Sequence, residues 1–301
     1  MRERWDDLRI FLFVARQGGL TGAARALKLD PATVGRRIQA FEATLDRPLF
    51  VRSPQGYALT EDGARLLPRA EAVETEMRAG LEDLTGQGDG LSGTIRLGAP
   101  DGCANYLLPA VCAAIAAENP GLDIQILALP RVVNLSRREA DMAITVSQPT
   151  GGRLLVQKIA DYRLHLAAAE AYLAAAPPIG TLADLKAHPI VGYIPDMIFD
   201  KELDYLAPLG LPRVALASTS AAVQVQLLRA GAGVGMVHAF ALPSAPELRP
   251  VLPDAINLTR SFYLVRHQDD RRSERMQRFA TALSQGMRAA LSAVTPRRIA
   301  R

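Results

Sequence analysis

Residues 21–60 carry two short helical stretches around a tight turn and then a small basic hairpin, and no other feature constrains the fold of this chain as strongly. The pattern describes a winged helix-turn-helix. Ahead of it, Leu8, Phe11, Leu12 and Ala15 recur at i, i+3, i+4 and i+7 and so share one face of a helix, which Gly18-Gly19 ends. Thr21 is read as the N-cap of a second helix over 22–27, whose Ala23, Ala24 and Ala26 admit a close neighbour. Lys28-Leu29 forms the turn. Asp30 is the N-cap of a third helix and Pro31 its first residue, where a missing N–H costs nothing.

In the third helix Val34, Ile38, Phe41 and Leu45 form the inward stripe, which leaves Thr33, Arg36, Arg37 and Gln39 on or beside the exposed face. Side chains at the start of such a helix reach base edges in the major groove, and arginine grips guanine or phosphate bidentately. Pro48-Leu49-Phe50-Val51-Arg52, Ser53-Pro54-Gln55-Gly56 and Tyr57-Ala58-Leu59 read as two strands around a Pro/Gly turn, with Arg52 and Gln55 flanking the backbone or minor groove. The candidate contacts to double-stranded DNA are Thr21, Thr33, Arg36, Arg37, Gln39, Arg52 and Gln55, with Thr33 and Arg36 first. An isolated Arg-Arg pair is otherwise a solvated helix face. Charge decides between the two: residues 1–60 hold ten Lys/Arg against six Asp/Glu, and this excess of four equals the net charge of +4 of the whole chain. Basicity is confined to the segment that reads as a DNA binder, as counterion release from phosphate requires.

Thr60-Glu61-Asp62-Gly63 opens a long helix with a capping hydroxyl and two acids at the positive end of the dipole. It runs to about residue 84, and Leu67, Ala70, Val73, Met77, Leu81 and Leu84 step along it by three or four residues. That spacing fits a dimerising coiled-coil seam or a helix packed on its own domain. Gly86-Gln87-Gly88-Asp89-Gly90 is the linker. Residues 91–301 alternate strand-like and helix-like runs: strands over 94–99, 123–129 and 141–146, a helix over 107–118 and a short basic one over 135–138. A second set follows over 163–168, 189–193, 214–217, 221–230 and 234–237, which argues for mainly parallel sheet with covering helices.

The chain resembles the LysR-type transcriptional regulators. The likeness rests on Asp7-Leu8-Arg9-Ile10-Phe11, Ala23-Ala24-Arg25-Ala26-Leu27, Thr33-Val34-Gly35-Arg36-Arg37-Ile38, Phe41-Glu42, Leu49-Phe50-Val51-Arg52 and Leu59-Thr60-Glu61-Asp62-Gly63. It continues more diffusely through Gly93-Thr94-Ile95-Arg96-Leu97, Asn119-Pro120-Gly121-Leu122, Ala140-Asp141-Met142-Ala143-Ile144 and Gly231-Ala232-Gly233-Val234-Gly235. Two positions depart from the family pattern. Asp30-Pro31 stands where members often carry Ser-Gln, and Gly35 where another serine is common; neither Pro31 nor Gly35 has a side chain that can donate.

The resemblance implies a DNA-binding domain over 1–60, a linker and dimerisation helix over 61–90, and an effector-binding domain over 91–301. The last would be two Rossmann-like halves, about 91–146 with 263–301 and about 160–262, joined by two crossing strands as in periplasmic solute-binding proteins. It further implies a dimer or dimer of dimers, with RNA polymerase as a further partner, in which a small effector changes the angle between DNA-binding pairs.

In such an architecture a ligand lies between the halves, at carboxyl ends of strands where helix N-termini converge. The candidates are Asp101, Gly102 and Cys103 after the first strand, Thr145 and Ser147 at the hinge, Pro195 on the far wall, and Ser218 and Thr219 before a helix. The last two serve equally well as simple caps. Asp101 disfavours an anion beside it. Cys103 and Cys112 are the only cysteines, nine apart, and match no metal motif; a helix start could lower the pKa of Cys103 and make it redox-active.

No cofactor and no metal is expected. His165, His188, His238 and His267 are scattered, no nucleophile elbow or phosphate loop is present, and Gly231 to Gly235 reads as a turn into a buried strand, so an enzyme is not expected. Residues 8–15 are too short, too charged and too amphipathic for an export signal, and no run approaches a membrane span, so the expected location is the cytoplasm, with no membrane contact. Arg271, Arg272, Arg275 and Arg278 are assigned to a final helix followed by a frayed basic tail over 295–301. The alternative function is a cytosolic metabolite-binding protein whose N-terminal domain serves assembly, which would need neither a wing nor confined positive charge.

Overall fold

A computed structural model describes residues 5–53, 56–85, 91–128, 139–149, 151–210, 213–256 and 258–294. The chain forms two compact units, Met1–Gln87 and Gly88–Arg301.

In the first unit, α1 (Trp5–Gln17), α2 (Leu20–Leu27) and α3 (Pro31–Leu45) are followed by β1 (Phe50–Ser53), β2 (Gly56–Leu59) and the 25-residue α4 (Glu61–Thr85). Phe11, Leu12, Val14, Ala23, Ala24, Val34, Ile38 and Leu49 share one core. The small Ala23 and Ala24 let α2 lie against α1, and Phe11 fills the centre with its ring 5.3 Å from that of Phe50. Asp30 caps α3 as expected: its Oδ1 accepts from the N–H of Ala32 at 2.8 Å and of Thr33 at 3.3 Å.

Thr21 is not an N-cap. The helical ladder already starts at Gly19, whose carbonyl accepts from Ala23 N–H, so Thr21 lies inside the first turn of α2. At the other end Thr60 does cap α4, accepting from Gly63 N–H at 3.0 Å while donating to the Pro48 carbonyl at 2.7 Å. The wing is held to α1 by backbone: Tyr57 N–H donates to Gly18 O, and a Cβ on Gly56, whose φ is +125°, would come within 2.4 Å of that oxygen.

The second unit is built on one continuous sheet. β3 (Ser92–Ala99), β4 (Gly121–Ala128) and β5 (Met142–Thr145) form one end in parallel, in the order β4-β3-β5. β6 (Leu154–Ala169) then runs the length of the unit. At the far end, β7 (Ile190–Gly192) lies parallel to β8 (Leu216–Ala217) and to β9 (Val234–His238). β10 (Leu248–Pro250) flanks the end of β6, and β11 (Leu258–His267) returns antiparallel to it, with an irregularity between Phe262 and Tyr263. The path β4-β3-β5-β11-β6-β9-β7-β8 makes β6 and β11 the two crossing strands between halves.

The segment expected as one helix over 107–118 is preceded by another. α5 (Asp101–Tyr106) and α6 (Leu108–Glu118) divide at Leu107, because Pro109 favours the first turn of a new helix. α7 (Glu170–Ala175) and α8 (Ala221–Arg229) follow in the second half, and α9 (Glu274–Val294) closes the chain. α9 lays Met276, Phe279, Leu283 and Met287 on the core, and Gly286 admits α6 so closely that a Cβ there would lie 2.7 Å from Val111 Cγ1. Arg271 and Arg272 belong to a short 3-10 turn before α9, not to the helix, because Ser273 interrupts it with extended backbone. The expected basic helix over 135–138 and the tail over 295–301 lie outside the described residues.

The glycine run does make the turn into a buried strand. Gly233 has φ +139°, and a Cβ on it would stand 2.1 Å from the Pro189 carbonyl oxygen; β9 behind it is buried throughout.

Candidate functional site

Each unit carries one candidate site. In the first, capping by Asp30 orients α3 so that Ala32, Arg36, Gln39 and Ala40 are exposed while Val34 and Ile38 face the core. Arg36 makes only a loose local bond, donating to Thr33 Oγ1 at 3.3 Å, so its guanidinium can turn outward to a ligand. Thr33 is half-buried; Thr21 and Gln39 are exposed.

Arg37 is engaged elsewhere. Its Nε donates to Asp7 Oδ1 at 2.6 Å, and Asp6 lies 4.0 Å away, so this arginine ties α3 to α1 instead of sharing the face with Arg36. One residue of helical rotation, about 100°, separates the two roles. Of the wing candidates, Gln55 and the side chain of Arg52 lie outside the described residues. Sequence reasoning passed over Arg25 and Lys28, both exposed at the end of α2. It also missed Glu42, whose carboxylate accepts from Leu49 N–H at 2.7 Å and Phe50 N–H at 3.0 Å and so fastens the wing to α3.

The proposed seam on α4 divides in two. Ala70 is completely buried in its own domain and Leu67 packs beside it, while Arg16 holds the helix to α1 through Glu74 at 2.7 Å. Leu67 and Ala70 therefore follow the own-domain reading. Val73 and Met77 are 44% and 49% exposed and offer an uncovered apolar strip; the side chains of Leu81 and Leu84 lie outside the described residues.

In the second unit the halves meet at the N-termini of α5 and α8. Asp101 Oδ2 accepts from Ser220 Oγ at 2.9 Å and from the Ala222 N–H at 3.0 Å, while Asn105 Nδ2 donates to Oδ1 at 3.1 Å. Gly102 is pressed against the other half: a Cβ would come 2.9 Å from His238 Cε1 and 3.3 Å from Ala221 Cβ. A second bridge joins Ser147 Oγ to Asp200 Oδ2 at 2.5 Å, and Thr145 Oγ1 donates to the Ser147 carbonyl at 2.7 Å. Asp200 was not foreseen. Ser218 acts as a local cap, accepting from Ser220 N–H, whereas Thr219 is half-buried without a hydrogen-bond partner among the described residues.

A cavity of about 200 Å³ lies in the second half, between β7, β9 and α8. Pro195 lines it; the other sequence candidates do not. Tyr193, Tyr205, Gln224, Ile198 and Met236 form much of its wall. Two of these carried a readable signal. Tyr193 follows the carboxyl end of a strand, and Gln224 is a buried polar residue on the apolar stripe Ala221, Val225, Leu228.

Cys103 is corrected. It is the third residue of α5 and almost wholly buried, and burial, with Cys112 nearby, pushes its thiol far above the ordinary range. Cys112 is raised to about 11 for the same reason of burial. Neither thiol is poised as a thiolate. His238 is likewise enclosed, within rings of Tyr162, Tyr205 and Phe240, and burial lowers it to about 4 against a small upward pull from Asp101. His188 pairs with the Tyr172 hydroxyl at 2.8 Å and His267 Nδ1 accepts from Asp269 N–H, both structural contacts. Among the described residues no cluster of His, Cys, Asp or Glu could hold a metal ion, and no helix is long and apolar enough to cross a membrane.

Residues 5–64 match the family described as bacterial regulatory helix-turn-helix protein, lysR family, and residues 88–288 match the LysR substrate binding domain. Together they cover most of the chain, which belongs to the LysR-type transcriptional regulators. A probable hydrogen peroxide-inducible genes activator from Mycobacterium avium is 32% identical over 252 residues, 78% of each protein. Alignments with the first curated relatives span from 50% to 78% of those proteins' own lengths. In fold, the chain is similar to full-length OxyR from Pseudomonas aeruginosa, with TM-score 0.70 and 17% identity over 96% of this chain and 95% of that one. It is similar also to full-length LysG from Corynebacterium glutamicum with bound effector Arg, with TM-score 0.66 and 20% identity over 95% of this chain and 99% of that one.

Proposed function

We propose that this protein is a sequence-specific DNA-binding transcriptional regulator whose state is set by a small molecule in the second unit. The observation that carries the DNA reading is the pair of arginines on α3. Arg37 is spent on Asp7, while Arg36 stands exposed on a helix whose N-terminal turn is capped and whose wing is fastened by Glu42. A rigid helix presenting one free arginine and neighbouring polar groups can read base edges.

Residues 1–60 form the reader in this proposal, 61–90 the linker, and 91–301 the sensing domain. Val73 and Met77 support pairing of two chains along α4, since exposed apolar side chains one turn apart gain by mutual burial. The effector region takes in the cavity beside Pro195 and the free Thr219 hydroxyl, and an arginine ligand in LysG makes a bound small molecule the natural input here as well. The proposal includes action in the cytoplasm, contact with RNA polymerase at the promoter, and no catalysis. An effector can shift such a protein only by binding one state more tightly.

Binding to the chain's own promoter region, compared with random DNA of equal length across a salt series, tests this reading. Salt-steep binding with a preference of about a hundredfold is the expected result. Absence of binding at every salt concentration would return the N-terminal domain to an assembly role.

A further inference from the structure

The two halves of the second unit are joined where the N-termini of α5 and α8 meet. The first amides of α8 point toward α5, and a helix N-terminus of this kind favours an anion. Here the anion is part of the chain. Asp101, at the start of α5 in the first half, accepts from the Ala222 N–H at 3.0 Å, while Ser220, which caps α8 by accepting from Val223 N–H at 3.2 Å, donates its own proton to the same oxygen at 2.9 Å. The Asp101 carboxylate thus takes a donor from the α8 backbone and one from the α8 cap, and Asn105 steadies its other oxygen.

The two halves are in close contact at this point. Gly102 already abuts His238 and Ala221 more closely than any side chain would tolerate. The nearby cavity is about 200 Å³, under the roughly 300 Å³ at which drug-sized sites begin, and none of the described residues lining it is Lys, Arg or His. The described lining residues with polar side chains are Tyr193, Asp204, Tyr205 and Gln224.

We infer that Asp101 is a built-in carboxylate ligand: it fills the anion seat on α8 from within, holds the two halves together, and makes the cleft select small neutral or cationic effectors with an apolar part against carboxylates and phosphates. The inference rests on the effector reading above but not on DNA binding. A free carboxylate would meet a like charge and two donors already in use. A neutral or amine-bearing molecule meets neither obstacle, and Asp101 and Asp204 both favour a positive group.

The test is the thermal transition of the regulatory unit in the full-length protein, measured for wild type, Asp101→Ala and Asp101→Asn, with sodium acetate or inorganic phosphate against sodium chloride of matched ionic strength. Asp101→Ala empties the seat and is expected to melt about 3 to 6 °C lower in chloride, with acetate restoring at least half of the loss. Asp101→Asn keeps an acceptor oxygen in place, so it folds and gains no more from acetate than the small shift that surface exclusion gives any folded protein. Wild type gains from either anion no more than Asp101→Asn does. Stabilisation of wild type by acetate or phosphate as large as that of Asp101→Ala would overturn the proposal, and this arm stands even where the alanine variant is too unstable to isolate. An Asp101→Ala protein that melts with wild type and ignores acetate would overturn it equally. Promoter binding, measured on the same samples, distinguishes failure of this inference from failure of the DNA-binding reading, because neither outcome of the melting series depends on DNA.

Discussion

Arg37 reaches from the third helix back to the first and closes on the Asp7 carboxylate at 2.6 Å, while its sequence neighbour Arg36 remains exposed. Two adjacent arginines of one motif therefore do unlike work. Arg36→Ala should weaken specific DNA binding by about 1 to 3 kcal/mol and relax sequence preference, with the melting temperature unchanged. Arg37→Ala should instead cost about 1 kcal/mol of stability in the N-terminal unit, because the part-buried bond that ties α3 to α1 is lost. Fluorescence anisotropy and urea denaturation on both variants separate the two. Equal loss of affinity on operator and random DNA would reduce Arg36 to a phosphate contact.

The cap on α3 predicts a second change. Asp30→Ala removes the acceptor for two backbone amides and should destabilise the first unit by about 1 kcal/mol, with Asp30→Asn losing less. Denaturant midpoints measured on the three proteins check the order.

Acid should loosen the second unit in a defined window. His238 in the folded chain takes a proton only near pH 4, because it is enclosed, whereas in the unfolded chain it does so at its ordinary 6.5. Between those values the unfolded state binds the extra proton, so stability is constant above the upper value, falls as pH drops through the window, and levels off below the lower one. The loss amounts to about 3 kcal/mol from this residue. Urea midpoints from about pH 7 to about pH 4.5 should follow that slope, and His238→Gln should flatten it.

Both thiols should be silent. With Cys103 and Cys112 buried and held protonated, a thiol reagent should label neither in the native protein and both after denaturation. Peroxide should leave promoter binding unaltered in wild type and in Cys103→Ser alike. Rapid native labelling of Cys103 would contradict the geometry of α5.

Pairing along α4 should depend on its uncovered half. Met77→Glu introduces a charge into the strip shared with Val73 and should raise the dimer dissociation constant by at least about tenfold, whereas truncating Leu67 should lower stability instead. Sedimentation velocity across a concentration series reads the first effect and thermal melting the second.

The helical N-terminus was legible because each boundary is written in short-range chemistry: Asp30 and Pro31 start a helix, Gly18-Gly19 ends one, and Thr60 opens another. Thr21 misled because a hydroxyl near a helix start looks the same at the cap or two residues inside; Gly19, lacking a side chain, left no mark of its own role. Arg37 could not be told from Arg36, since its partner Asp7 lies thirty residues away. In the second unit the strands of the first half were readable as apolar runs. β6 was only half read, because its leading part sets two adjacent exposed residues, Gln157 and Lys158, before the buried Ile159, which breaks both an apolar run and a strict alternation. The bridges of the cleft, Asp101 to Ser220 and Ser147 to Asp200, join residues 119 and 53 apart, and no local pattern encodes them.

Between them, the side chains of Thr60 and Glu42 bond the Pro48 carbonyl, the Gly63 amide and the amides of Leu49 and Phe50, so that α3, the wing and the start of α4 share one hydrogen-bonded joint. A joint of that kind transmits direction without slack. In the proposed pairing of two chains along α4, the pitch of each reading helix against that seam is set by this joint, and the operator's half-site spacing becomes a ruler for it.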